Sequence, residues 1–93
     1  MATGTIKKGI VTQQFIFAGQ SVTAGSYVDV NIDVSKSGYK AIGIGHWVIN
    51  GTTRCALLYA AFTTATNLRL RIVNTSDSSA QSFAESAVTV LYE

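Results

Sequence analysis

The sequence predicts an all-β chain: one antiparallel β-sandwich of about six strands joined by hairpin and meander turns. Three observations predict it. Valine and isoleucine total 17 against 5 leucines; with 11 threonines and 9 aromatic residues, 37 of the 93 residues favour extended backbone. No ten-residue stretch shows 3.6-residue periodicity, whereas two-residue alternation recurs at intervals of about 10–14 residues. The intervening segments are also short. Parallel neighbours need crossovers of a dozen residues or more, so the strands pair antiparallel.

The elements follow in order. Residues 1–9 are polar, with Gly4 and Gly9, and read as a linker or connector; the β-sandwich domain is expected over residues 10–93. Ile10–Ala18 is strand-like, with Val11, Gln13, Phe15 and Phe17 on one side. Gly19–Gly25 holds turn residues. In the segment Tyr27–Val34, Val28, Val30, Ile32 and Val34 face one way, while Tyr27, Asp29, Asn31 and Asp33 face the other. Ser35–Gly38 is a turn. Tyr39–Asn50 is a long apolar strand. Strict alternation puts Ile42, Ile44, His46 and Val48 on one side, and Gly43, Gly45, Trp47 and Ile49 on the other. Asn50-Gly51 is the strongest hairpin signal, because both residues tolerate the positive φ of a type I′ turn, and it predicts Thr53–Thr64 as the return strand. Asn67–Asn74 alternates again, with Leu68, Leu70 and Ile72 inward and Arg69 and Arg71 outward. Thr75–Ser79 is a loop, and Phe83–Tyr92 closes the chain.

Composition narrows the function. Hydrophobic residues make up 47% and charged residues 13%, which excludes an intrinsically disordered segment. The net charge is +2 and the cations are dispersed, so the basic stripe of a nucleic-acid binder is missing. Polarity comes instead from 28 Ser, Thr, Asn and Gln residues, a surface suited to carbohydrate or protein contact. No apolar run reaches the roughly 18 residues of a membrane span, and the first residues lack the apolar stretch of a signal peptide. A domain of this length buries only about 60–65% of its unfolded surface. Its single cysteine, Cys55, can form no intrachain disulfide, and it reads as a small buried hydrophobe. The apolar surplus therefore predicts association with further copies of the chain.

The residues offer little for catalysis. Asp29 and Asp33 share a strand face but lie about 13 Å apart at strand rise, too far for a glycosidase carboxylate pair. His46 is the only histidine, no nucleophile elbow occurs, and a catalytic Cys55 would need that same histidine. No metal-ligand spacing is present, so neither a metal nor another cofactor is expected. Gly43-Ile-Gly45 opens like a dinucleotide fingerprint but lacks the third glycine and the following helix. The glycines are read instead as sites of close approach by a neighbouring group. The sequons at Asn50 and Asn74 fall in predicted turns, where these residue types serve the turn itself. The chain is expected not to be an enzyme.

Binding remains. Aromatic rings stack on the C–H faces of sugars, and polar neighbours bond the hydroxyls. His46 and Trp47 precede the Asn50-Gly51 turn and Arg54 follows it, which would gather a ring, donors and a cation at one end of a sheet. With Tyr39 and Tyr59 these form the candidate contact set: Tyr39, His46, Trp47, Asn50, Arg54 and Tyr59. The competing expectation places Trp47 in the core or at a subunit contact.

Three segments carry a family resemblance: Ser37–Gly51, with Gly-Tyr-Lys after a turn and an aliphatic-Gly-aliphatic-Gly strand reaching Trp47; Leu68–Thr75, an arginine-bearing strand running into Asn-Thr; and the ending Val88–Tyr92. Together, over about residues 22–92, the chain resembles the C-terminal head domains of tail fibre proteins from phages and prophages of gut bacteria. The resemblance implies a lectin-like β-sandwich that trimerises on the virion and touches a host surface glycan or protein outside the cell. Of the contact set, only His46 and Trp47 carry over from it. Three weak sites on one rigid head would act together, raising avidity about 10²–10⁴-fold over one site. Two alternatives stand beside this expectation: a structural trimerisation, capping or virion decoration module without a ligand, and a carbohydrate-binding module of a secreted enzyme.

Overall fold

The structure is a computed structural model that describes residues 9–51 and 54–93. Every strand in it is antiparallel, and two sheets share one hydrophobic core, as a β-sandwich requires. Eight strands form rather than six: β1 (Val11–Phe17), β2 (Gln20–Val22), β3 (Tyr27–Asp33), β4 (Ala41–Val48), β5 (Cys55–Phe62), β6 (Asn67–Asn74), β7 (Gln81–Phe83) and β8 (Ser86–Tyr92). One sheet runs β1-β8-β4 and the other β3-β6-β5, with β2-β7 as a short ribbon between them. Residues 1–8 of the expected connector 1–9, and Thr53 at the start of the expected return strand, lie outside the described residues.

The pairing is nested. β1 lies on β8, β2 on β7 and β3 on β6, so the two halves of the chain form one long ribbon folded over on itself. β4 then adds to the free side of β8, and β5 to the free side of β6. The expected meander is therefore corrected. Only β5 and β6 are consecutive strands that pair as a hairpin; the other neighbours come from distant parts of the sequence.

Alternation places the core. Along β6, Leu68, Leu70, Ile72 and Asn74 are buried; along β8, Ser86, Val88, Val90 and Tyr92 are. These central strands have neighbours on both edges, so their inward side chains lose all water. Val22, Val34 and Phe83 complete the core, and the Phe17 and Phe83 rings meet edge to face at 6.3 Å. Tyr92 spans the two sheets: its Oη donates to the Val34 carbonyl at 2.6 Å inside the core.

Three expectations fail for identifiable physical reasons. The segment 19–25, read as a turn, contains β2, a strand too short to show a period. The final strand is broken at Ala84 and Glu85, where the ribbon turns from one sheet to the other. At that corner the chain passes so close to Gly19 that a Cβ there would lie 2.1 Å from the Phe83 carbonyl oxygen. Asn50-Gly51 is not a hairpin turn, since β4 pairs with β8 and not with β5. Gly51 does have a positive φ of 82°, but it packs against Ala84, and Asn50 is tied to the same corner. The Asn50 N–H donates to Ser86 Oγ, its Nδ2 donates to the Glu85 carbonyl, and its own carbonyl accepts the Ala84 N–H. A turn signal that is local in sequence here serves a contact between the chain just past β4 and the corner 35 residues away.

Two register shifts in β4, between Ala41 and Gly43 and between Ile44 and His46, overturn the strict alternation expected there. Ile44 and Trp47 both sit opposite inward residues of β8, namely Val90 and Val88. His46 and Val48 sit opposite the outward Thr89 and Ala87. Of the two glycines, Gly45 admits the side chain of Leu91, whereas Gly43 has open space above it.

Candidate functional site

The six expected contact residues do not share one surface. Tyr39 packs edge to face on Tyr92 at 6.5 Å, beside the Lys36 ammonium. His46 is exposed on the outer face of β1-β8-β4, and Trp47 is 47% exposed at that sheet's β4 edge. Asn50 fastens the Ala84–Ser86 corner. The Arg54 carbonyl accepts both the N–H and the Oγ1–H of Thr75, next to the 75–79 loop. Tyr59 alone lies on the outer face of β3-β6-β5, opposite Arg71.

That outer face holds the densest chemistry among the described residues. β3 presents Tyr27, Asp29, Asn31 and Asp33; β6 presents Asn67, Arg69, Arg71 and Val73; β5 presents Ala56, Tyr59 and Ala61. The register lines up Asp29, Arg71 and Tyr59 across three strands. Arg71 donates to both carboxylate oxygens of Asp29, Nε to Oδ1 at 2.8 Å and Nη2 to Oδ2 at 2.9 Å. Its guanidinium carbon also lies 3.9 Å from the centre of the Tyr27 ring and 5.0 Å from that of Tyr59. A cation between two π faces and bonded to a carboxylate is fixed in place, and it fixes the two rings in turn. The Arg71 hydrogen bonds hold the Asp29 carboxyl below its ordinary range, with Coulombic help from Arg71 and Arg69.

The next row along β6 is different. Arg69 stands between Asn31 on β3 and Ala61 on β5. Its Nε donates weakly to Asn31 Oδ1 at 3.4 Å, and that oxygen also accepts from Asn67 Nδ2. Asn67 Nδ2 donates to Thr63 Oγ1 as well, at 2.6 Å. Asp33 lies at the end of the face with its carboxylate turned onto the Ser35 N–H, a bond that lowers its pKa. The face thus reads as a stacked Tyr27–Arg71–Tyr59 row beside an amide- and hydroxyl-lined row around Arg69. It is open, with no enclosed cavity among the described residues.

Sequence reasoning named Tyr59 and missed Asp29, Arg69 and Arg71. The signal was present, because Asp29 and Asn31 alternate outward on one segment and Arg69 and Arg71 on another. What was missing was the pairing of two segments about 40 residues apart. The buried amide of Asn74 also went unnoticed. Its Nδ2 donates to the carbonyls of Val22 and Ser79, and its Oδ1 accepts the Ser76 N–H, so this sequon asparagine is a core fastening. No family model matches the chain, and no curated protein or solved structure matches it.

Proposed function

We propose that the chain is a non-enzymatic attachment head: a self-associating β-sandwich that binds a bacterial surface glycan, in the setting of a phage tail fibre tip. The observation that carries this reading is the Tyr27–Arg71–Tyr59 row, held by Asp29 on an open sheet face. Rings fixed in orientation lose little freedom when a sugar stacks on them, and the neighbouring Asn31, Asn67 and Thr63 supply the amides and hydroxyl that saccharide hydroxyls need. The phage setting comes from the sequence resemblance.

Self-association has its own support. The strands β1, β4 and β8 contain no Asp, Glu, Lys or Arg. The same sheet exposes Ile16, Ile42, Trp47 and Val48, and β4 is its open edge. A second copy, carrying the same uncharged surface, is the occupant that costs no charge desolvation. On this reading the β1-β8-β4 sheet faces copies and the β3-β6-β5 sheet faces the glycan. Three sites on one particle then gain by avidity.

The test is a glycan array together with binding to intact bacterial cells, comparing the unchanged protein with Tyr59→Ala. Loss of binding with unchanged solution mass supports the reading. Binding that survives Tyr59→Ala and Tyr27→Ala moves the site off this face. The exposed Trp47 and Val48 also fit a structural module without a ligand; a stable oligomer that binds no glycan and no cell favours that alternative.

A further inference from the structure

The two arginines on the outer face of β3-β6-β5 are neighbours on one strand, yet they are treated differently. Arg71 is consumed: its charge is met by Asp29 and its plane by two tyrosine rings. Arg69 makes no ion pair among the described residues. Its only hydrogen bond there is the long one from Nε, so among the described residues neither terminal nitrogen has a hydrogen-bond partner. The Asp33 carboxylate on the same face is engaged by Ser35 and does not answer Arg69. On either side of Arg69 the register places short side chains, Asn31 and Ala61, while Tyr59 stands two residues before Ala61. The register thus sets Arg69 between two short neighbours, one row along from the Tyr59 ring.

From this we infer that the face takes an acidic saccharide: a sugar whose ring packs against Tyr59 and whose anionic substituent, carboxylate or phosphate, is bonded in fork fashion by Arg69, with Asn31 and Asn67 beside it. The inference rests on the reading of this face as the glycan site. A planar guanidinium with free Nη groups matches both oxygens of a carboxylate or phosphate, a geometry that a lysine ammonium does not reproduce. Placed in a neutral sugar site, the same group would sit unpaired beneath the ligand.

The experiment is titration calorimetry of the folded protein with three probes: an oligouronate, the same oligosaccharide with its carboxyls reduced to alcohols, and a glycerol-phosphate polymer. The variants are Arg69→Gln and Arg69→Lys, each checked by thermal melting against the unchanged protein. The expected result is binding of at least one anionic probe at least tenfold tighter than of the reduced oligosaccharide. Arg69→Gln should abolish that preference and its salt dependence, and Arg69→Lys should restore only part of it. Preference for the oligouronate identifies the anion as a carboxylate; preference for the polymer identifies it as a phosphate. Equal binding of acidic and reduced sugars overturns the inference and leaves the glycan site standing. An anionic preference that survives Arg69→Gln overturns it as well. Failure of the unchanged protein to bind these probes or any glycan on the array overturns the underlying reading of the face.

Discussion

The two three-stranded sheets are alike inside and unlike outside. Each has a central strand, β8 in one and β6 in the other, whose inward side chains are buried without interruption. Their outer faces diverge. β1-β8-β4 carries no Asp, Glu, Lys or Arg and exposes Ile16 and Val48 there, with Trp47 exposed at its β4 edge, whereas β3-β6-β5 carries Asp29, Asp33, Arg69 and Arg71 with two tyrosines among them and an exposed Leu58 on β5. Inner faces answer to one requirement, removal of apolar surface from water. Outer faces answer to what each must meet. The contrast teaches that a chain with only 13% charged residues has placed its strand charges on one side of itself.

The corner joining the sheets offers the strongest way to break the comparison. Gly19→Ala drives a methyl into the Phe83 carbonyl and the Ala84 backbone, which cannot yield without moving β7 off β2. A loss of about 3 kcal/mol or more is expected, read from the denaturant midpoint. Both sheets should melt together, because the ribbon they share is what the substitution opens.

Tyr92→Phe cuts the hydrogen bond between the sheets and leaves the Val34 carbonyl buried without its partner, at a cost of about 1–3 kcal/mol. The same hydroxyl gives an alkaline signature. Burial, with the Asp33 charge adding, raises the folded pKa of Tyr92 above the ordinary 10.0. The protonated form is therefore favoured in the fold, and that stability is present below pH 10.0 and lost as pH rises through the folded value. Unfolding monitored against pH should steepen above pH 10.0 in the unchanged protein and flatten in Tyr92→Phe.

Outward substitutions sharpen the contrast directly. Thr89→Glu puts a carboxylate at the middle of the uncharged face and is expected to weaken self-association at least tenfold, about 1.4 kcal/mol, while the thermal melt of the chain changes little. Ala61→Glu on the other sheet should leave the mass unchanged and, by answering Arg69, suppress glycan binding.

The smallest effect lies at acid pH. Asp29 and Asp33 both have carboxyls held below 3.8 in the fold, by the Arg71 hydrogen bonds and the Ser35 N–H respectively. The stability they contribute is present above 3.8 and lost as pH falls through their folded values. Asp29→Asn should flatten the acid limb of the melting profile.

Legibility in the sequence followed locality. β3 and β6 could be read directly, since period-two alternation with charges on one side leaves no second face to choose. Cys55 was read as buried, and it is. β4 could not be read, because two bulges reverse its faces partway and put Trp47 on the side of Ile44. β2 and β7 span three residues each, too few for any period. Asn50-Gly51 misled because its local preference for positive φ is real, while the strand that follows it was drawn to another sheet by packing. The site suffered the same way: Tyr59 stood out as an amphipathic ring, but Asp29 and Arg71 meet only after the chain has folded back across 42 residues.

If copies of the chain cover the uncharged sheet and leave the charged sheet open, the mass in solution must show it. The decisive measurement is light scattering on the size-separated protein at micromolar concentration. The expected particle has a mass that is a multiple of 9.9 kDa, three chains in the tail fibre setting, reduced toward one chain by Thr89→Glu and not by Ala61→Glu. A stable particle of a single chain across that concentration range would contradict it.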